Sequence, residues 1–193
     1  LCAGQSNMQL ILSMTSKGDS VIAPATYPML HLFHVSRDNA LGPTRGALGN
    51  WQACTPSSVK EFSAAAYYFG LALQKELKVP VGIINSSFGG SQAEAWTPFE
   101  YLQRKELKPC IARDTLWAIQ RDSVQIAYEK QMEDWKAYAQ KEKAAGRKPK
   151  EAPHQPEALR DYRPAASIYN CMIKPLVPYK IKGCFWYQGE NNE

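Results

Sequence analysis

A chain of 193 residues is long enough for one domain with a substantial core, and 45% hydrophobic against 21% charged residues is the balance of an ordinary globular protein. No run of apolar residues approaches the 18 or so needed for a membrane span, so no membrane partner is expected. The net charge of +5 sits largely in residues 130–150, where lysines mix with Glu133, Asp134 and Glu142, and no zinc-finger spacing or uniformly basic stripe accompanies it; nucleic acid is not an expected partner.

In chain order, Leu1-Cys2-Ala3 reads as the last residues of a buried strand, followed by Gly4. Residues 29–35 form a second strand, in which His31 and His34 flank Leu32-Phe33 and read as structural. Residues 59–77 are the clearest helix: Ser58 and Glu61 supply a capping box, and Phe62, Ala65, Ala66, Phe69, Leu73 and Leu77 recur on one face of a 3.6-residue period. The β-branched run 79–85 then reads as a strand buried on both faces, as in a parallel sheet.

Residues 113–145 predict one or two long amphipathic helices carrying Leu116, Ile119, Val124, Trp135 and Tyr138, and 146–156 a polar, proline-punctuated loop. The region from about 100 to 160 is therefore expected to be a surface excursion from a single domain spanning 1–193. Residues 168–176 are again helical, closed by Pro175 and Pro178, and 182–187 form another buried strand. Helix followed by buried strand, used twice, is the repeating unit of an α/β fold.

The five cysteines, Cys2, Cys54, Cys110, Cys171 and Cys184, include no C-x-x-C pair, which argues against a structural zinc site; no metal is expected. Cys171 and Cys184 read as small buried hydrophobes, and a Cys54–Cys110 disulfide stays open.

Three segments share one pattern, a buried strand running into a Gly-containing polar turn: Gly4-Gln5-Ser6-Asn7-Met8, Asn85-Ser86-Ser87-Phe88-Gly89-Gly90-Ser91, and Gln188-Gly189-Glu190-Asn191-Asn192. Ligands of open α/β sheets bind beyond the carboxyl ends of the strands, so the three turns predict one crevice. Ser6 fits two roles there, a nucleophile or a helix N-cap. Gly89-Gly90 suits backbone donors to an oxyanion, or an ordinary tight turn. Gln188, Asn191 and Asn192 bring side-chain amides, and Glu190 a carboxylate that orients a neighbour or caps a helix. A serine hydrolase also needs a histidine base, and His154, in the proline-rich loop, is a poor candidate.

These motifs, with Glu94-Ala95-Trp96, Asp161-Tyr162-Arg163-Pro164-Ala165 and Trp186-Tyr187 before the third turn, resemble the sialate O-acetylesterase family of the SGNH (GDSL-like) hydrolases. The resemblance implies a three-layer α/β/α sandwich with a mostly parallel sheet. It implies Ser6 as nucleophile, and an oxyanion hole formed by the amides of Ser6 and Gly90 with a side-chain donor from the third block, Gln188 or Asn192, Asn191 being the remaining choice. Gln5, Asn7, Trp96 and Glu190 are expected to contact substrate; Trp96, Tyr101 and Trp186 can stack on sugar rings or lie in the core.

The family takes its base from an Asp-x-x-His block downstream of the third turn, and no such block occurs in these residues. The chain is therefore expected to be the middle of a catalytic domain, inactive alone, with the base outside it. The activity implied is removal of acetyl groups from sialic acid or related sugars, with no cofactor, in a secreted, periplasmic or lysosomal setting. An acetyl xylan esterase and a carbohydrate-binding pseudoenzyme are the alternatives.

Overall fold

The structure, a computed structural model, describes residues 1–156, 159 and 163–192. Asp161 and Tyr162 of the family-like segment lie outside the described residues. The chain divides into two compact units, Leu1–Tyr101 with Arg163–Glu193, and Leu102–Tyr162.

The first unit is built on five strands: β1 (Cys2–Gly4), β2 (Tyr27–His34), β3 (Trp51–Cys54), β4 (Val81–Ser87) and β5 (Phe185–Tyr187). Their order across the sheet is β3-β2-β4-β1-β5. All pairs are parallel except β2 with β3. Five short helices, α1 (Ser6–Gln9), α2 (Gly18–Ile22), α3 (Pro56–Lys60), α4 (Ala64–Leu77) and α5 (Phe99–Leu102), precede the long α6 (Lys108–Ala144).

Alternation along β4 shows how the layers form, because successive side chains of a strand point to opposite faces. Ile83 joins a core with Met8, Val59, Ala66 and Tyr67 from α1, α3 and α4. Ile84, next to it, joins a second core with Ala95, Trp96, Ile168 and Met172. Helical segments thus cover both faces, giving the expected three layers around a mostly parallel sheet.

Register decides where the turns emerge. Cys2 lies opposite both Asn85 and Phe185, and Gly4 opposite both Ser87 and Tyr187. β1, β4 and β5 therefore end level with one another, and the three polar turns leave the sheet side by side.

Several local expectations are corrected. The helix expected over 59–77 is two helices. Thr55, rather than Ser58, caps the first, accepting from the Ser58 amide at 3.3 Å, while Ser63 caps α4, accepting from the Ala66 amide at 3.1 Å. Long-range backbone bonds hold the break: Leu12 N–H to Phe62 C=O at 2.9 Å and Ala64 N–H to Leu10 C=O at 2.8 Å. The buried face of α4 is correspondingly Ala66, Tyr67, Gly70 and Gln74, with Phe69 and Leu77 exposed.

The strand expected over 182–187 is only the three residues of β5 at the sheet edge, all exposed, and Cys184 before it is exposed too. Residues 168–176 are helical as expected, with a π-helical turn over Tyr169–Ile173 and a 3-10 turn over Lys174–Leu176. All five cysteines are free thiols, so the Cys54–Cys110 bridge is absent. Cys171 is buried as expected, and burial pushes its thiol up to about 11.

The second unit is dominated by α6, 37 residues long. Of the apolar residues expected on its amphipathic face, Leu116 and Ile119 are exposed, while Val124 and Trp135 are half-buried. Residues 147–156 follow as a non-helical segment. Among the described residues no helix is long and apolar enough to cross a membrane.

Candidate active site

The first turn begins with a close approach of two backbones. Gly4 has φ +142°, and a Cβ placed on it would overlap the Tyr187 carbonyl oxygen. Only glycine lets β1 and β5 meet here. The Gln5 amide then donates to that same carbonyl at 3.1 Å. Gln5 is 2% exposed, and its Oε1 accepts from the amides of Gly189 at 3.3 Å and Asn191 at 3.4 Å. Gln5 was expected to touch substrate; it is instead the buried tie between the first and third turns.

Ser6 is the first residue of α1, and the N-cap position belongs to Gln5, which makes no side-chain cap. The helix-cap role for Ser6 is thereby removed. Its side chain is exposed, and neither its hydroxyl nor its amide is hydrogen-bonded among the described residues.

The second turn lies directly against it. Phe88 N–H donates to Gly4 C=O at 2.9 Å, and a Cβ on Gly89 would stand 3.5 Å from both Cα and Cβ of Ser6. Gly89 N–H is held by Gln9 Oε1, so this amide is engaged. Gly90, at φ +71°, differs: its carbonyl accepts from Arg163 Nη1 at 2.9 Å and Asn191 Nδ2 at 2.6 Å, while its N–H has no partner among the described residues.

The third turn locks onto the other two. Gln188 Nε2 donates to Ser91 C=O at 2.8 Å. Asn192 accepts from Ala93 N–H at 2.9 Å and donates to Glu94 Oε2 at 2.8 Å. Glu190 accepts from Asn7 Nδ2. Gln188, Asn191 and Asn192 thus each commit an amide hydrogen to holding the turns together. Trp96 is 5% exposed in the core, donates from Nε1 to Ser91 Oγ at 2.7 Å and meets Trp186 edge-on at 5.4 Å. It is a core residue here rather than a sugar platform.

Ser6, Gly89 and Gly90 open onto a cleft of about 770 Å³, the size range of small-molecule sites. Leu10, Ile11, Met14, Leu32 and Phe62 give it an apolar side, and Asn50, Gln52, Ser57 and Ser58 a hydrogen-bonding one. Gln188, Glu190, Asn192, Gln5, Asn7 and Trp96 are not among its walls.

Three ionisable residues also line it, and sequence reasoning passed over all of them as site residues: His34, Arg37 and Glu61. The signal was available. β2 is parallel to β4, with His34 level with Asn85, so β2 delivers the residues after it to the same end of the sheet. Its carboxyl end lacks the glycine that marked the other turns. Burial first, and the Arg37 charge second, hold the His34 imidazole below its ordinary pKa. Its ring stands edge-on to Phe62 at 6.3 Å. His31 is exposed and is not a wall of the cleft, and His154 belongs to the second unit. Among the described residues no group of three or more His, Cys, Asp or Glu is placed to hold a metal.

No protein-family model matches the chain. Curated proteins do: the rat sialate O-acetylesterase is 29% identical over 203 residues, covering 100% of this chain and 34% of the relative. Along its whole length this chain is similar to sialate O-acetylesterases. The human one is 25% identical, again over 100% of this chain. The crystal structure of a carbohydrate acetylesterase from Xanthomonas citri superimposes with a TM-score of 0.65 and 28% identity over 99% of this chain and 32% of that one. The chain thus spans about a third of the length of the curated relatives it matches.

Proposed function

We propose that the protein is a serine esterase that removes O-acetyl groups from sialic acid or a related sugar, with Ser6 as nucleophile. The observation that carries this reading is an exposed, unbonded Ser6 hydroxyl beside two unpartnered amides, those of Ser6 and Gly90, on one cleft. Similarity to proteins named as sialate O-acetylesterases and to a carbohydrate acetylesterase supports the substrate class.

In this reading Ser6 Oγ attacks the acetyl carbonyl carbon and passes its proton to a base. The two amides hold the tetrahedral oxyanion, each donor being worth about 2.7–4 kcal/mol of barrier. The bond to the sugar oxygen breaks, the sugar leaves with the proton, and water hydrolyses the acetyl-serine to acetate. A third, side-chain donor is left to the second amide hydrogens of the Gln188 and Asn192 side chains. The base is assigned to the protein beyond these 193 residues, as the resemblance implies. A secreted, periplasmic or lysosomal location goes with the activity.

The test is Ser6→Ala in the full-length protein, which is expected to lose p-nitrophenyl acetate hydrolysis by a factor on the order of 10⁴ or more, together with fluorophosphonate labelling at Ser6. Wild-type rates in that variant overturn the assignment. Robust activity from the 193-residue segment alone would place the base within it, and His34 is the imidazole that lines the cleft.

A further inference from the structure

We propose that Arg37 forms an anion subsite in the Ser6 cleft, taking the carboxylate of an acidic sugar. The proposal rests on the esterase reading for its substrate and on the cleft geometry for its chemistry.

Arg37 lies three residues past the end of β2, at the carboxyl end of the sheet where Ser6 also sits. The backbone before it is fixed: Val35 N–H donates to Asn85 C=O at 2.9 Å and Ser36 N–H to Leu48 C=O at 2.8 Å. The guanidinium nevertheless makes no hydrogen bond or ion pair among the described residues. Two carboxylates share its surroundings, Asp38 next to it in sequence and Glu61 on the wall of the same cleft. Asp38, its neighbour, turns Oδ1 onto the Asn39 amide at 2.8 Å instead. Glu61 lines the same cleft and forms no ion pair with it.

A neutral sugar would need only hydrogen-bonding side chains such as Asn50 and Gln52 of that wall. Arg37 is different: it is an exposed, unpaired cation on the wall it shares with Leu32 and Phe62, and a neutral ligand covering it removes its water and returns no charge. A carboxylate returns both, since its two oxygens match the guanidinium fork. Glu61 then works as the complement: it repels the sugar acid from its own position and accepts from hydroxyls. The anion is thereby directed to the Arg37 end of the cleft. The field of Arg37 also reaches His34, which faces the cleft, in keeping with a positive site there.

The experiment uses the full-length protein and two substrates that differ in one charge: the methyl glycoside of an O-acetylated sialic acid and its C1 carboxamide. Wild type is expected to prefer the acid in kcat/KM by about tenfold or more. Arg37→Ala should bring that ratio close to one through KM rather than kcat, and Arg37→Lys should keep part of it. A wild-type ratio near one, or an Arg37→Ala ratio as high as wild type, overturns the subsite. Binding of the unacetylated acid to Ser6→Ala protein, by calorimetry, separates the two ideas. If no ester is cleaved but this binding is weakened at least tenfold in the Ser6→Ala, Arg37→Ala protein, the esterase reading falls and the subsite stands. If Ser6-dependent cleavage treats acid and amide alike, the reverse holds.

Discussion

On the β5 side of α1, the polar side chains of the motifs are engaged with one another: Gln5 with Gly189 and Asn191, Gln188 with Ser91, Asn192 with Ala93 and Glu94. On the β2 side Gln9 and Ser58 of the cleft wall are engaged, but four groups there keep no partner among the described residues: the Ser6 hydroxyl, the amides of Ser6 and Gly90, and the Arg37 guanidinium. Both sides carry polar residues, so residue type alone does not distinguish them. Paired groups on one side fix the positions of unpaired groups on the other. A buried pair is a scaffold, and a free group at a cleft wall is available for chemistry.

The largest expected break in the paired side is Gly4→Ala. The added Cβ overlaps the Tyr187 carbonyl and must be carried at φ +142°, so a loss of about 3 kcal/mol or more is expected from urea unfolding. Near-native stability would show that β1 and β5 can separate at little cost.

Gln5→Ala comes next. It removes the acceptor of two backbone amides, those of Gly189 and Asn191, and should cost about 1–2 kcal/mol in the same assay. Gln5→Glu keeps the acceptor and should recover part of the loss. If both variants are as stable as wild type, the third turn does not depend on this tie.

The smallest effect concerns the unpaired side and reads pH. His34 has its pKa lowered from the ordinary 6.5 by burial and by Arg37. Above that ordinary value both folded and unfolded states carry it neutral and it contributes nothing to the pH dependence. As pH falls below it, the unfolded chain takes up the proton first, so stability declines. Arg37→Ala should move the His34 NMR titration upward and lessen that acid-side decline. An unchanged titration midpoint would mean burial alone sets it.

Several features were legible before any coordinates. The run 79–85 announced β4, because a strand buried on both faces is written as a continuous apolar run, and the segment 29–35 announced β2, in which buried Leu30 and Leu32 alternate with exposed Met29 and His31. Gly4, Gly89 and Gly90 marked the turns, because few other residues tolerate such approaches or a positive φ. The break between α3 and α4 was not legible. Apolar residues continue at helical spacing through it, and the bonds that interrupt the helix come from Leu10 and Leu12, some fifty positions away. Arg37 was hidden for a similar reason: nothing local distinguishes it from a solvated cation.

The sequence by itself determined the α/β class, the three turns and Ser6 as the candidate nucleophile. Each depends on a local property: periodicity, a missing Cβ, or a residue type at a strand end. The tertiary structure decided which polar residues are engaged and which stay free. That choice placed Gln5 and Asn192 in the scaffold, Trp96 in the core, and His34 and Arg37 on the walls of the cleft that Ser6 opens onto. The physical reason is that a side chain's role at such a site depends on whether a distant segment supplies its hydrogen-bond partner. Parallel register, with Gly4 level with Ser87 and Tyr187, is what brings those segments together.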